Sequence, residues 1–292
     1  ERSTHKPMPC MFWLAREYSD SSISDAEHAL LKQGNATPEH IVWYVPPSGA
    51  EAKPPDHDRW FKSPVDIVVM RSAWDDPNAL FVGVKAGYNQ VNHGHLDLGN
   101  FELDALGVRW ARDLGSDDYN LPGYFDKKKG GKRWNYYRNI SESHSVPLID
   151  GKRQDETGKA SVIGFDSNDA EARVSIDLTD AYRDRAKQVT RDVALTNLRK
   201  AVVVRDRYEL TSHHDIVWAM TTDADIAIQK DGIAELTLDG KKLIARVIEP
   251  KGVAFVMESA ERPGPEKPNK GVRRLLLRVN DAPGNTNISV ML

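Results

Sequence analysis

The 292-residue sequence holds one cysteine, Cys10, which excludes an intrachain disulfide framework. A chain without staples fits a reducing compartment, and equally a secreted protein large enough to rely on its core. Neither sign of charge prevails, since 40 Lys and Arg against 43 Asp and Glu leave a formal net charge of −3. Nothing therefore draws the whole molecule to nucleic acid, and a polyanion would have to meet a local basic patch. No apolar run approaches the length of a membrane span, and no signal peptide is visible. The chain opens on Glu1-Arg2-Ser3-Thr4 rather than Met, as expected of a processed or truncated product that has lost any export signal. A Gly-x-Ser-x-Gly elbow is missing, which leaves a Ser/His/Asp hydrolase poorly supported, and no glycine loop offers a phosphate cradle.

What is present divides into two parts. The length suits one large β domain or two domains. Met11–Glu17 reads as helix, and Ser24-Asp25-Ala26-Glu27 has the spacing of a capping box opening a second helix that Gly34 closes. A stretch with Pro46, Pro47, Pro54 and Pro55 reads as a boundary. Two short helices cannot bury their own apolar faces, so residues 1–60 are expected to be the tail of a larger helical domain. From Ser63 the pattern changes to alternation, in Val65–Met70, Leu80–Val84, Phe101–Leu106, Arg173–Leu178, Ala201–Asp206, Glu235–Leu238 and Val272–Leu277. Asp239-Gly240 between two such runs is a hairpin signal. The expected fold is mainly β: a large antiparallel β-sandwich over residues 61–292, preceded by a short helical segment.

The chemistry concentrates in Asn92-His93-Gly94-His95-Leu96-Asp97-Leu98-Gly99-Asn100-Phe101 and in Arg109-Trp110-Ala111-Arg112-Asp113-Leu114-Gly115. On an extended backbone, side chains two apart share a face. His93-x-His95 thus reads as a metal pair, or as one ligand beside one acid/base histidine. His93, His95, Asp113 and His144 are candidate metal ligands of the imidazole and carboxylate types that zinc takes, although their spacing matches no short zinc motif. Histidine also titrates near neutrality and can move a proton at low cost. Tyr136 and Tyr137 lie within Arg133-Trp134-Asn135-Tyr136-Tyr137-Arg138, where nearby positive charge lowers a phenol pKa. The blander reading is an aromatic belt at a sandwich edge. Lys127 to Lys132 with Arg133 is a solvated loop or a hook for an anionic polymer. His213-His214 reads as structural, at the end of a strand.

Together these stretches resemble the C-terminal half of the heparinase II/III-like polysaccharide lyases, over about residues 60 to 260. The matching residues include Tyr119, His144-Ser145-Val146-Pro147-Leu148-Ile149-Asp150-Gly151 and Val203-Val204-Arg205-Asp206-Arg207. The resemblance implies a helical α/α toroid followed by a large antiparallel β-sandwich, with the active site in the cleft between them. It implies that His93 is the sandwich's catalytic histidine and that His95, Asp113 and His144 hold a structural zinc. Arg133, Tyr136 and Tyr137 are the expected substrate-binding residues. One departure lies at the last histidine, where His-Asn-Thr-Leu is usual in the family. The toroid tyrosine and the asparagine or histidine that neutralises the substrate carboxylate have no counterpart in this chain.

The implied reaction is β-elimination at a uronic acid of an acidic polysaccharide, with heparan sulfate, alginate and bacterial exopolysaccharides all open as substrates. The implied partners are that polysaccharide, an N-terminal toroid of the same parent protein and a second copy in a homodimer, with no nucleic acid and no membrane. The implied location is periplasmic or secreted. The rivals are a non-catalytic glycan-binding sandwich, which would not need His93, and a metal-dependent hydrolase, which would lose all turnover with its metal.

Overall fold

The computed structural model describes residues 6–47, 56–74 and 76–292. The opening tetrapeptide and most of the proline-rich stretch, including Pro54 and Pro55, lie outside the described residues. Two compact units meet between residues 56 and 57, so the strand Arg59–Phe61 already belongs to the β unit, ahead of the expected limit at residue 60.

In the smaller unit, helices span Cys10–Glu17, Asp25–Lys32 and Glu39–Trp43. The capping box at Ser24 does not form. Ser24 closes a 3-10 turn, Ser21–Ser24, and its Oγ donates to Ser21 O at 2.9 Å. Glu27, the box's other member, is instead buried, accepting from Met8 N at 2.9 Å and lying 2.7 Å from His40 Nε2. A buried imidazole nearby competes for the carboxylate more strongly than a helix-end amide does.

The larger unit is mainly β, with three antiparallel sheets among the described residues. The first is a five-stranded run in the order Arg59–Phe61, Ile67–Arg71, Phe81–Lys85, Phe101–Ala105 and Val108–Ala111. The second has nine strands, from Asp225–Ile228 at one edge, through Asn285–Met291, Ala201–Leu210, Ala186–Thr196 and Ala172–Asp177, to Lys159–Ser167 and Gly87–Tyr88. The third runs Phe255–Ser259, Arg273–Ala282, His214–Thr222 and Leu148–Ile149.

Alternating residues build the core. Val68 and Met70, Val82 and Val84, Val174 and Ile176, and Val202 and Val204 are all buried and join one cluster with Trp218, Leu275 and Leu277. Asp239 and Gly240 both take positive φ, as the tight hairpin requires, and Leu238 pairs with Lys241 across the turn. His214–Thr222 is buried on both faces from Ile216 onward. Trp218 and Met220 enter the main core, whereas Val217 and Ala219 pack on the outer side with Leu148 and Leu276. His213 and His214 each face a carboxylate, Asp281 at 3.0 Å and Asp150 at 2.7 Å.

Candidate functional site

Two connections carry the site. One runs from Asn89 to Asn100, after the short strand Gly87–Tyr88. The other covers residues 112–147, between the first and third sheets, and contains three short 3-10 turns. Neither is strand, so His93 and His95 do not point the same way, as alternation would have them. His93 takes φ +58° and stands exposed. His95 turns inward instead. Gly94 makes this reversal: a Cβ there would lie 2.3 Å from Asn89 O, so only glycine permits so close a fold-back.

The first connection is held by its carbonyls. Arg133 donates to Gly94 O through Nε and Nη2 at 3.0 and 2.9 Å, and to Tyr124 O through Nη1 at 2.9 Å. Ser141 Oγ donates to Leu96 O at 2.8 Å, and Gln154 Nε2 donates to Leu98 O at 2.7 Å. Arg191, in the nine-stranded sheet, donates from Nη1 to both Gly99 O (2.8 Å) and Ser145 O (2.6 Å). Its Nε and Nη2 meet Asp206 at 2.6 and 2.7 Å, and both side chains are fully buried. One guanidinium therefore ties the loop after His95 to the residue after His144. Ser145 N also donates to Asn100 Oδ1 at 2.7 Å.

Within this frame the ligand atoms of His95, Asp97, Asp113 and His144 all lie within 4.8 Å of one another. Asp113 Oδ2 is 2.9 Å from His144 Nδ1, but without hydrogen-bond geometry. Both ring nitrogens of the fully buried His144 lack a hydrogen-bond partner among the described residues. A buried imidazole with two unspent nitrogens is costly unless a further group meets them. Imidazole and carboxylate donors converging in this way suit zinc. Asp97 is the member that residue spacing did not select as a ligand. It is less available than the others, because Lys85 Nζ takes its two oxygens at 2.6 and 2.8 Å.

The electrostatics follow from this packing. Burial, and then the facing His144, push His95 down to about 4, so it is neutral at neutral pH. Burial opposes charge on His144 as well, but Asp113 beside it raises it above the ordinary imidazole value. Burial likewise works against charge on Asp113, yet His144 and His95 outweigh it and hold the carboxyl well below the usual carboxylate range. Gly115 N donates to Asp113 Oδ1 at 2.6 Å, fixing the carboxylate's turn.

On the solvent side, His93 stacks on Tyr119 with ring centroids 5.8 Å apart, and Tyr119 Oη lies 3.4 Å from His93 Nδ1. Phe125 closes edge-on against both rings. The expected substrate-binding residues fare differently. Arg133 is 3% exposed and spends its guanidinium on backbone carbonyls, so it holds the loop and does not present its charge to a ligand. Tyr137 is buried, donates to Glu142 O at 3.1 Å and lies under Arg262. Tyr136 keeps a partly exposed ring, with its hydroxyl on Pro122 O at 2.6 Å.

Residues 65–290 match the model of a protein family described as heparinase II/III-like, C-terminal. No curated protein sequence matches the chain. Among solved structures, the fold is similar to a heparan sulfate lyase, HepC from Pedobacter heparinus, at 16% identity and a TM-score of 0.67, over 96% of this chain and 41% of that one. It is also similar to a crystal structure of heparinase III, at 14% identity and a TM-score of 0.68, over 97% of this chain and 41% of that one. The chain thus spans about two fifths of the length of the solved structures it matches. No helix among the described residues is long and apolar enough to cross a membrane.

Proposed function

Because this chain belongs to the heparinase II/III-like family, we propose that it is the sandwich portion of a polysaccharide lyase that cleaves uronic-acid-containing glycans by β-elimination. The helical unit, which ends at Asp56, is read as the end of a helical toroid, in a protein that works in the periplasm or outside the cell. The observation that carries the reading is the reversal at Gly94. It leaves His93 outward beside the Tyr119 hydroxyl, while His95 is turned toward Asp113 and His144.

The proton at C5 of a uronate, alpha to its carboxylate, is too weakly acidic for an unaided protein base. Stabilising the developing enolate must therefore supply much of the catalysis. The base then takes the proton, and an acid protonates the departing glycosidic oxygen. His93 is assigned the base or the orientation of the uronate. The Tyr119 hydroxyl, within reach of Nδ1, steadies the imidazole. Arg133, Ser141, Gln154 and Arg191 hold the backbone under His93 through its carbonyls, so that the ring projects from a fixed ledge. His95, Asp113 and His144 would hold zinc, which would tie the two connections together and serve structure instead of polarising substrate.

The test is ultraviolet absorbance of the unsaturated uronate released from heparan sulfate, alginate or a related polymer by the protein with its helical domain in place. His93→Ala should lower kcat by about 100-fold or more while zinc content and melting temperature hold. Reducing ends released without absorbance would mark a hydrolase. Glycan retention that is indifferent to His93→Ala, with no product, would mark a binding module. Either result overturns the assignment.

A further inference from the structure

A cavity of about 410 Å³ lies beside the basic loop, lined by Lys129, Gly130, Lys152, Arg153, Asp155, Glu156, Asp184 and Arg185 among others. Its charges are not equally free. Asp155 accepts from Thr157 N and Oγ1 at 2.7 and 2.6 Å and faces Lys129 at 3.4 Å and Arg183 at 3.3 Å. Glu156 accepts from Gly130 N at 2.7 Å. Arg153 donates to Trp134 O. Asp184 stands exposed at the rim, as does Lys152.

Arg185 is the exception among these groups. It is only 8% exposed, and it donates to Ile149 O at 3.4 Å and to Arg153 O at 3.1 Å. Its Nε is buried and has no partner among the described residues. Leaving part of a buried guanidinium unspent is expensive, and the residue itself lines the cavity. We propose that this cavity is an anion subsite, with Arg185 as its buried donor and Lys152 and Lys129 as its rim. It would take a sulfate ester or a carboxylate on a unit of the glycan chain neighbouring the one that reacts.

The placement rests on the lyase reading above, and two segments connect the cavity to His93. Asn89 Nδ2 donates to Asp155 O at 2.9 Å at the cavity wall, and the four residues from there to His93 span at most roughly 14 Å. The segment that brings Tyr119 and Phe125 against His93 continues through Lys127, whose Nζ donates to Gln90 O at 3.2 Å, to Lys129 and Gly130 at the cavity. An anionic chain lying over His93 would therefore meet this basic rim with an adjoining unit.

The probe is inorganic sulfate added to the intact chain, followed by the Arg185 Nε–Hε resonance in nitrogen-edited NMR spectra. The resonance is identified by its loss in Arg185→Lys. Sodium chloride at matched ionic strength is the baseline, and glucuronate is the second anion. Sulfate should move the resonance saturably, with affinity about threefold weaker in Lys152→Ala and roughly tenfold weaker in Lys129→Ala/Lys152→Ala. Tighter binding of sulfate than of glucuronate assigns the subsite to sulfate esters, and the reverse order assigns it to carboxylates. No saturable shift with either anion, or an unchanged affinity in the double variant, overturns the proposal. Sulfate binding in a protein without lyase activity would count against the reaction and leave the subsite standing. Intact elimination without the Arg185 shift would do the opposite.

Discussion

Asp206→Asn and Arg191→Met test whether the buried ion pair organises the site or only stabilises the fold. Both side chains are fully buried, joined by two hydrogen bonds of 2.6 and 2.7 Å. Asp206→Asn leaves a guanidinium without a counter-charge in the core, and Arg191→Met leaves a carboxylate in the same position. Each should cost about 3–5 kcal/mol, which in a unit of this size lowers the melting temperature by roughly 6–20 °C. Replacing the pair together, as Arg191→Met/Asp206→Leu, removes both charges and should recover most of that stability. It cannot restore the bonds from Arg191 to Gly99 O and Ser145 O. Metal affinity should therefore stay about 10–100-fold below wild type in the double variant, measured by competition with a chelator. If the double variant regains metal affinity along with stability, those two carbonyl contacts position nothing. A loss below about 1 kcal/mol in Asp206→Asn would refute the buried pair itself.

Three further outcomes follow from the same geometry. The purified chain should carry about one zinc, lost in both His95→Ala and His144→Ala, by elemental analysis; an undiminished content in either variant removes that residue from the set. Because Asp113 raises His144 above its ordinary value while His95 is pushed down to about 4, the empty site carries one proton, on His144, once pH is below that raised value, and a metal ion must displace it. Apparent affinity should then drop about tenfold per pH unit and steepen only near the His95 value. Chelator competition that loses about a hundredfold between pH 6 and 5 would contradict that order. Gly94→Ala places a methyl 2.3 Å from Asn89 O and should cut the elimination rate about 100-fold by shifting His93, with little change in the circular dichroism of the sheets.

Several strands were legible where one face is buried and the other is not. Ala172–Asp177 alternates in burial as it alternates in polarity, whereas Ile67–Arg71 alternates in burial but reads as a short β-branched apolar run. His214–Thr222 escaped notice because both of its faces are covered, which erases the period of two. Ala186–Thr196 was hidden by Arg191 and Asp192, charged residues that read as surface until their partners Asp206 and Arg207 are in place. At the site, residue type and spacing picked out His95, Asp113 and His144, which the structure brings together. They could not show that His93 faces the other way, since this depends on a φ of +58° and a glycine fold-back inside a loop. Nor can sequence separate an arginine that greets a ligand from one that holds a carbonyl. Arg133 was expected to be the first kind and is the second.

The connection between Asn89 and Asn100 is fastened from below at the carbonyls of Gly94, Leu96, Leu98 and Gly99, by side chains from outside the loop. A carbonyl is common to every amino acid, so these hydrogen bonds do not read the side chain of the residue they grip, even though Gly94 and Gly99 are held to glycine by their own crowding. Selection can then rewrite the outward side chains, such as Asn92, without renegotiating the anchorage. A lineage changing what this loop meets has in it a surface to edit and a foundation to leave alone.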